Sequence, residues 1–246
     1  MARLLAVLLA MAVFSFAAGS SRAFEFKEAT IDSIQAGFKN GSLTSTALVR
    51  YYLDQIASLN PLLRAVTEVN PDALRQAARA DAERSASHRR RPAASGGLHG
   101  VPVLVKDLIA TRDRLNTTAG LIALLGSVVK RDAGVVARLR RAGAIVLGKA
   151  NLPEWANFRS ARSTGGLRGW SARGGQSRDP YVLSANLCGS STGPSIAAAA
   201  NMAAATTLGT DYGFDAGPVL SPSLLGRTLL GQYVARWQTR SMCWMQ

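Results

Sequence analysis

The residues with the most chemistry to offer are one lysine and a pair of serines. Lys106 closes the apolar run Val101-Pro102-Val103-Leu104-Val105, and Gly189-Ser190-Ser191 opens a long alanine-rich stretch. A lysine acts as a base only when neutral, and burial at the end of an apolar strand disfavours its charged form. A serine hydroxyl is a weak nucleophile until a neighbouring group takes its proton. A second hydroxyl between base and nucleophile can relay that proton, because it both donates and accepts. Backbone N–H groups in a glycine-rich turn then stabilise the oxyanion that forms. Taken singly, these residues have plainer uses. A lysine after a strand is an ordinary surface residue, and a Gly-Ser-Ser loop is an ordinary helix cap. Asp107 is read as capping or pairing with Lys106 rather than reacting.

The elements that must position these residues can be read along the chain. Thr30 caps a helix with Ile31, Ile34 and Phe38 on one face, which ends at Asn40-Gly41. Ser45 caps a second helix, with Leu48, Tyr52, Leu53 and Ile56 at helical spacing, which stops at Asn60-Pro61. Asn70-Pro71 starts a third, carrying Leu74, Ala77, Ala78 and Asp81. The stretch "RSASHRRRPAASGG", with Arg89-Arg90-Arg91, breaks every period and reads as a solvated loop.

Beyond it the pattern becomes α/β. Residues 101–105 form a strand, Asp132 begins a helix with Val135, Val136 and Leu139 inward, Gly143 ends it, and residues 144–147 form the next strand. Strand, helix, strand predicts a largely parallel sheet covered on both faces. Residues 159–180 read as a glycine-rich loop.

Composition sets the wider limits. The chain has 246 residues, 48% hydrophobic and 18% charged, enough for one sizeable core and too apolar for a disordered chain. Its 29 Lys and Arg against 15 Asp and Glu give a net charge of +14, which favours anionic surroundings. No basic motif with interleaved aromatics stands out, so a nucleic-acid partner is not expected.

Arg3 precedes an apolar run, residues 4–18, followed by small residues. This is the pattern of a secretory signal peptide. The run of about 15 residues is short of the ~20 a membrane-spanning helix needs, so no membrane association is expected after cleavage. Two sequons, Asn40-Gly41-Ser42 and Asn116-Thr117-Thr118, are compatible with secretion. Cys188 and Cys243 allow one disulfide at most, and two His with two Cys make a metal site unexpected. The expected organisation is a signal peptide over 1–23, a helical region with the basic loop over 24–97, an α/β core over 98–211, and a tail over 212–246.

Three passages then act together: "LHGVPVLVKDLIAT", "LNTTAGLIALLGSVVKRDAGVVARLRRAGAIVLGKANLPEWANF" and "GWSARGGQSRDPYVLSANLCGSSTGPSIAAAANMAAATTLGTD". In this order and spacing the chain resembles the amidase signature family, most of all its secreted, plant-type members, from about Ala29 to Asp211. The resemblance implies part of an α/β/α fold, a mixed sheet with flanking helices, here preceded by the helical region. It implies hydrolysis of carboxamide C–N bonds by a Ser–cis-Ser–Lys triad, with no metal or organic cofactor. Lys106 takes the place of the base, and Ser190 that of the bridging cis serine.

The family's nucleophile lies in a "D-G-S-I" or "G-G-S-I" turn. In this chain its place falls beside Phe214 and Asp215, or at Pro218 when counted back from Pro222-Ser223. Residues 212–220 contain neither serine nor threonine. Ser221 is the nearest hydroxyl and the candidate substitute nucleophile, with Gly213 the candidate oxyanion-binding backbone. Past residue 211 the resemblance fades, with the family domain about half complete. The expectations are therefore an impaired hydrolase of a small amide, or an inactive fragment acting as a binding or decoy protein. Non-specific self-association is expected of either. An amidotransferase that releases ammonia for charged tRNA is a third reading, disfavoured by the secretory N-terminus.

Overall fold

The computed structural model describes residues 23–87, 97–158, 168–187, 189–203 and 207–209. The expected signal peptide, Arg89-Arg90-Arg91, Cys188, Gly213, Ser221 and the tail lie outside the described residues.

Helix α1 (Ile31–Asn40) begins as its sequence predicts. Thr30 Oγ1 accepts the Ser33 N–H at 3.1 Å, satisfying one of the orphan donors of the first turn. Ile34 and Phe38 are buried, and Gly41 ends the helix at a φ of +76°.

Helix α2 (Ser45–Leu63) departs from expectation at both ends. Thr44, not Ser45, is its cap, with Oγ1 accepting the Ala47 N–H at 3.0 Å. Ser45 is buried and gives its N–H to Asp81 of the third helix at 2.7 Å, so a carboxylate from another element completes the cap. At the far end α2 runs through Pro61. The proline forfeits one backbone bond in the last turn, and two residues later the helix ends anyway. The Asn60 side chain then fixes the exit, donating to Val66 O and accepting Val66 N–H, each at 2.8 Å.

Strand β1 (Val66–Val69) follows, then helix α3 (Ala73–Ser87). The buried residues of α3 are Ala73, Ala77 and Ala80, whereas Leu74 and Ala78 face water. Small side chains let α3 lie close against α2 and the sheet, and the larger Leu74 stays outside.

Strand β2 (Pro102–Lys106), helix α4 (Gly134–Arg141) and strand β3 (Ile145–Ala150) form the expected strand–helix–strand unit. Val136 and Leu139 of α4 are buried and Val135 half-buried. Asp132 does not cap α4; its carboxylate accepts the Arg112 N–H and pairs with Arg140. The glycine-rich region holds a small hairpin, β4 (Trp170–Ser171) with β5 (Gly175–Gln176), where the sequence predicts only a loop. Helix α5 (Thr192–Ala199) and strand β6 (Thr207–Leu208) close the described chain.

The main sheet has the order β1-β3-β2-β6. β2 runs parallel to β3 and to β6, while β1 is antiparallel to β3, so the sheet is mixed. One face, with Leu104, Ile145 and Leu147, packs against α1, α2, α3 and α5. The other, with Val103, Val105 and Val146, packs against α4. The β2–β3 register slips by one residue between Val103 and Leu104, which pairs Leu104 with Gly148 and Val105 with Lys149. At Gly148 a Cβ would lie 2.4 Å from Glu68 O, so β1 approaches too closely for any side chain there.

Candidate active site

Alternation along β2 puts Lys106 on the same face as Leu104, toward α5, and Asp107 on the opposite face with Val103 and Val105. Lys106 is fully buried at the strand end. Its Nζ donates to Ser190 Oγ at 2.7 Å and to Ser191 Oγ at 3.1 Å. Ser190 is itself buried, and the Gly189–Ser190 peptide is cis. Two of the sequence-predicted site residues, Lys106 and Ser190, are thus brought into direct contact; Gly213 and Ser221 fall outside the described residues.

The serine loop is held by the start of α5. Gly193 N–H donates to Asn151 O at 3.0 Å, and a Cβ on Gly193 would lie 2.4 Å from Asn151 backbone atoms and 2.5 Å from Ala65 O. Only glycine allows that approach, and it fixes Ser190 and Ser191 against the end of β3. Asn151 is a buried hub. Its Nδ2 donates to Arg64 O at 2.9 Å and Ser177 Oγ at 3.1 Å, and its Oδ1 accepts Leu152 N–H and Ser171 Oγ–H, each at 2.8 Å. Its side chain thus ties the end of the helical region to the hairpin, while its backbone carbonyl holds the serine loop through Gly193. On the other side of the loop, a Cβ on Gly209 would meet Ser191 Oγ at 2.6 Å, so the chain leaves β6 pressed against the Lys106 cluster.

Asp107 does not pair with Lys106, because the strand turns it to the other face. It accepts the Thr118 and Gly120 N–H groups at 3.2 and 3.1 Å and the Thr118 hydroxyl, and pairs with Arg173 at 3.0 Å. Arg173 also pairs with Glu68 of β1. Lys149 lies on this face too, donating to Ile109 O at 2.5 Å and Thr117 Oγ1 at 3.0 Å. Burial lowers the Lys149 pKa to about 8, opposed by the charges of Asp107, Asp113 and Glu68. On the opposite face of the strand end from the serine loop, then, lies a second buried charged cluster.

Sequence reasoning misses Asn151, Gly193 and Arg173. The signals that could have found the first two are a polar Asn directly after an apolar strand, and a glycine inside the first turn of a helix. Arg173 carries no such signal, since its partners come from β1 and the end of β2. Among the described residues no group of three or more His, Cys, Asp or Glu could hold a metal ion.

A family model described as Amidase matches residues 47–223, most of the chain. The chain belongs to the amidase family. The match continues past residue 211, where the resemblance read from the sequence fades, and includes Ser221. A protein of Arabidopsis thaliana named a probable amidase is 54% identical over 203 residues, covering 82% of this chain and 38% of that protein. A glutamyl-tRNA(Gln) amidotransferase subunit of Bdellovibrio bacteriovorus is 34% identical, covering 75% of this chain and 35% of its own length. Among solved structures, the native peptide amidase of Stenotrophomonas maltophilia is similar at a TM-score of 0.65 and 48% identity, covering 73% of this chain and 36% of that one. This amidase-family chain therefore spans little more than a third of the length of these relatives, and its fold is the α/β fold of that family in part.

Proposed function

We propose that this chain carries the base and relay of an amide-hydrolysing Ser–cis-Ser–Lys site, and that hydrolysis is impaired for want of a nucleophile in its place. The observation that supports it most is the buried contact of 2.7 Å between Lys106 Nζ and Ser190 Oγ. At that separation a neutral Lys106 takes the Ser190 proton while Ser190 takes one from the attacking hydroxyl. Ser221 is the substitute nucleophile in this reading, and the backbone at Gly213 the oxyanion donor. No metal or organic cofactor is needed for these steps. The substrate class is a small amide or acyl-amide. An inactive, binding or decoy role follows if Ser221 never reaches Lys106, and the lack of serine and threonine over residues 212–220 favours it.

The place of action in this reading is outside the cell, after removal of residues 1–23, with no membrane or nucleic-acid partner. The higher identity to the plant protein than to the bacterial amidotransferase supports the hydrolase branch. Exposed apolar side chains, Phe158 and Ile122 among them, support a tendency to self-associate.

The test is a comparison of the purified chain with its Lys106→Ala variant on simple amides, together with a serine-directed covalent probe. Equal rates and no specific labelling are expected. Labelling at Ser221 that disappears in Ser221→Ala would overturn the impaired reading and identify the nucleophile. N-terminal sequencing of the secreted product should begin between Ser20 and Phe24; a cytosolic product starting at Met1 would refute secretion.

A further inference from the structure

The two sequons stand in opposite surroundings. Asn40 is the last residue of α1, and Asn40, Gly41 and Ser42 are all exposed. Asn40 Oδ1 accepts the Ser42 backbone N–H at 2.9 Å, closing a tight side-chain turn. Gly41 has open space around it. The turn is nevertheless rooted, because the buried Leu43 gives its N–H to Gly37 O at 3.1 Å. The acceptor amide and the hydroxyl of the sequon are held at the surface.

Asn116 is bound on every side. Its Nδ2 donates to both Glu68 carboxylate oxygens, at 3.0 and 3.1 Å, and its own N–H donates to Glu68 at 3.0 Å. Its Oδ1 accepts the Gly126 N–H at 2.7 Å. Thr118, the third residue of that sequon, is fully buried with its hydroxyl on Asp107. A sugar on Asn116 Nδ2 would have to part Asn116 from Glu68, which is also the partner of the buried Arg173.

We infer that Asn40 is an N-linked glycan acceptor and that Asn116 is a structural asparagine left unmodified. The donor class is an oligosaccharide carried on a lipid diphosphate. Nδ2 of Asn40 bonds to the anomeric carbon, the bond from that carbon to the diphosphate oxygen breaks with its electron pair on the leaving lipid diphosphate, and one amide proton departs. The inference rests on the secretory reading, since transfer needs delivery to the compartment that holds the donor.

The experiment uses two versions in a eukaryotic secretory host: the full chain with its own N-terminus, and residues 24–246 behind a leader of known function. Each is treated with a peptide-N-glycosidase and mapped by mass spectrometry for conversion of Asn to Asp. A single glycan at Asn40 is expected, with the gel shift lost in Asn40→Gln and kept in Asn116→Gln. No glycan on the version with the known leader, or any glycan on Asn116, would overturn the inference. A glycan at Asn40 with the known leader but none on the full chain would uphold the acceptor site and refute secretion alone.

Discussion

Lys106 and Ser190 meet at 2.7 Å inside the protein although one ends a strand and the other precedes a helix. The contact depends on α5 being clamped to the end of β3 through Gly193 and Asn151. Removing the Ser190 hydroxyl deletes the shorter of the two serine bonds to the lysine. An intramolecular hydrogen bond contributes a net of about 0.5–1.5 kcal/mol. We expect Ser190→Ala to lower the unfolding free energy by an amount in that range, read as a lower urea midpoint with an unchanged m-value. Ser191→Ala, which loses the 3.1 Å bond, should cost less. A midpoint for Ser190→Ala equal to that of the parent chain would show that the contact adds nothing to stability.

Lys149 gives the chain a pH signature of its own. Burial lowers its pKa to about 8, below the ~10.4 of an unfolded lysine. Below pH 8 both states carry the proton, and the cost of burying the charge is fully present. Between the two values the unfolded chain binds more protons than the folded one, so stability rises with pH. The whole shift corresponds to roughly 3 kcal/mol. Above about pH 10 the trend reverses, because burial pushes the Tyr52 hydroxyl up while an unfolded tyrosine ionises. Denaturant titrations at pH 7, 8, 9 and 10 should show the rise, and Lys149→Met should flatten it. A rise of equal size in that variant would assign it to another group.

What the sequence reveals and what it hides divide along physical lines. Local signals read well: Thr30 and Gly41 at the ends of α1, the buried run of β2, and the strand after Gly143 all depend on near neighbours. The Lys106 and Ser190 positions are legible through their motifs. The cap of α2 reads one residue late because its other half is Asp81, on another helix. β1 escapes notice because four residues carry too little alternation, and its place in the sheet is set by pairing with β3. The sequence assigns no inner face to the third helix, where close packing buries Ala73, Ala77 and Ala80 and leaves Leu74 outside.

The Asp107–Arg173–Glu68 cluster joins the end of β2, the hairpin and β1, and none of its members is near another in sequence. Asp107 is fully buried. Deleting one partner of a buried ion pair costs about 3–5 kcal/mol, because the other charge stays behind. Asp107 keeps its bonds from Thr118 and Gly120, so Arg173→Met should fall at the lower end, about 3 kcal/mol. The double variant Asp107→Asn with Arg173→Met should be less destabilised than the sum of the singles, a coupling that a double-mutant cycle reads directly. Strict additivity would mean that the pair does not act as a unit.

The last expectation concerns association. Ile122, Leu125 and Val128 lie exposed within one short stretch, and Phe158 is 80% exposed. Among the described residues β6 forms one end of the main sheet, and a strand at a sheet end offers unpaired N–H and C=O groups to another chain. Exposed apolar patches of several hundred Å² drive association. The net charge of +14 opposes contact, but only weakly at separations beyond a Debye length of about 8 Å at physiological salt. We expect the chain to elute from size exclusion as oligomers, with light scattering giving a mass above one chain. Ile122→Ser combined with Leu125→Ser should shift the distribution toward the monomer if this stretch mediates the contact. A monodisperse parent monomer with a single sharp unfolding transition would show that these side chains do not suffice to bring chains together.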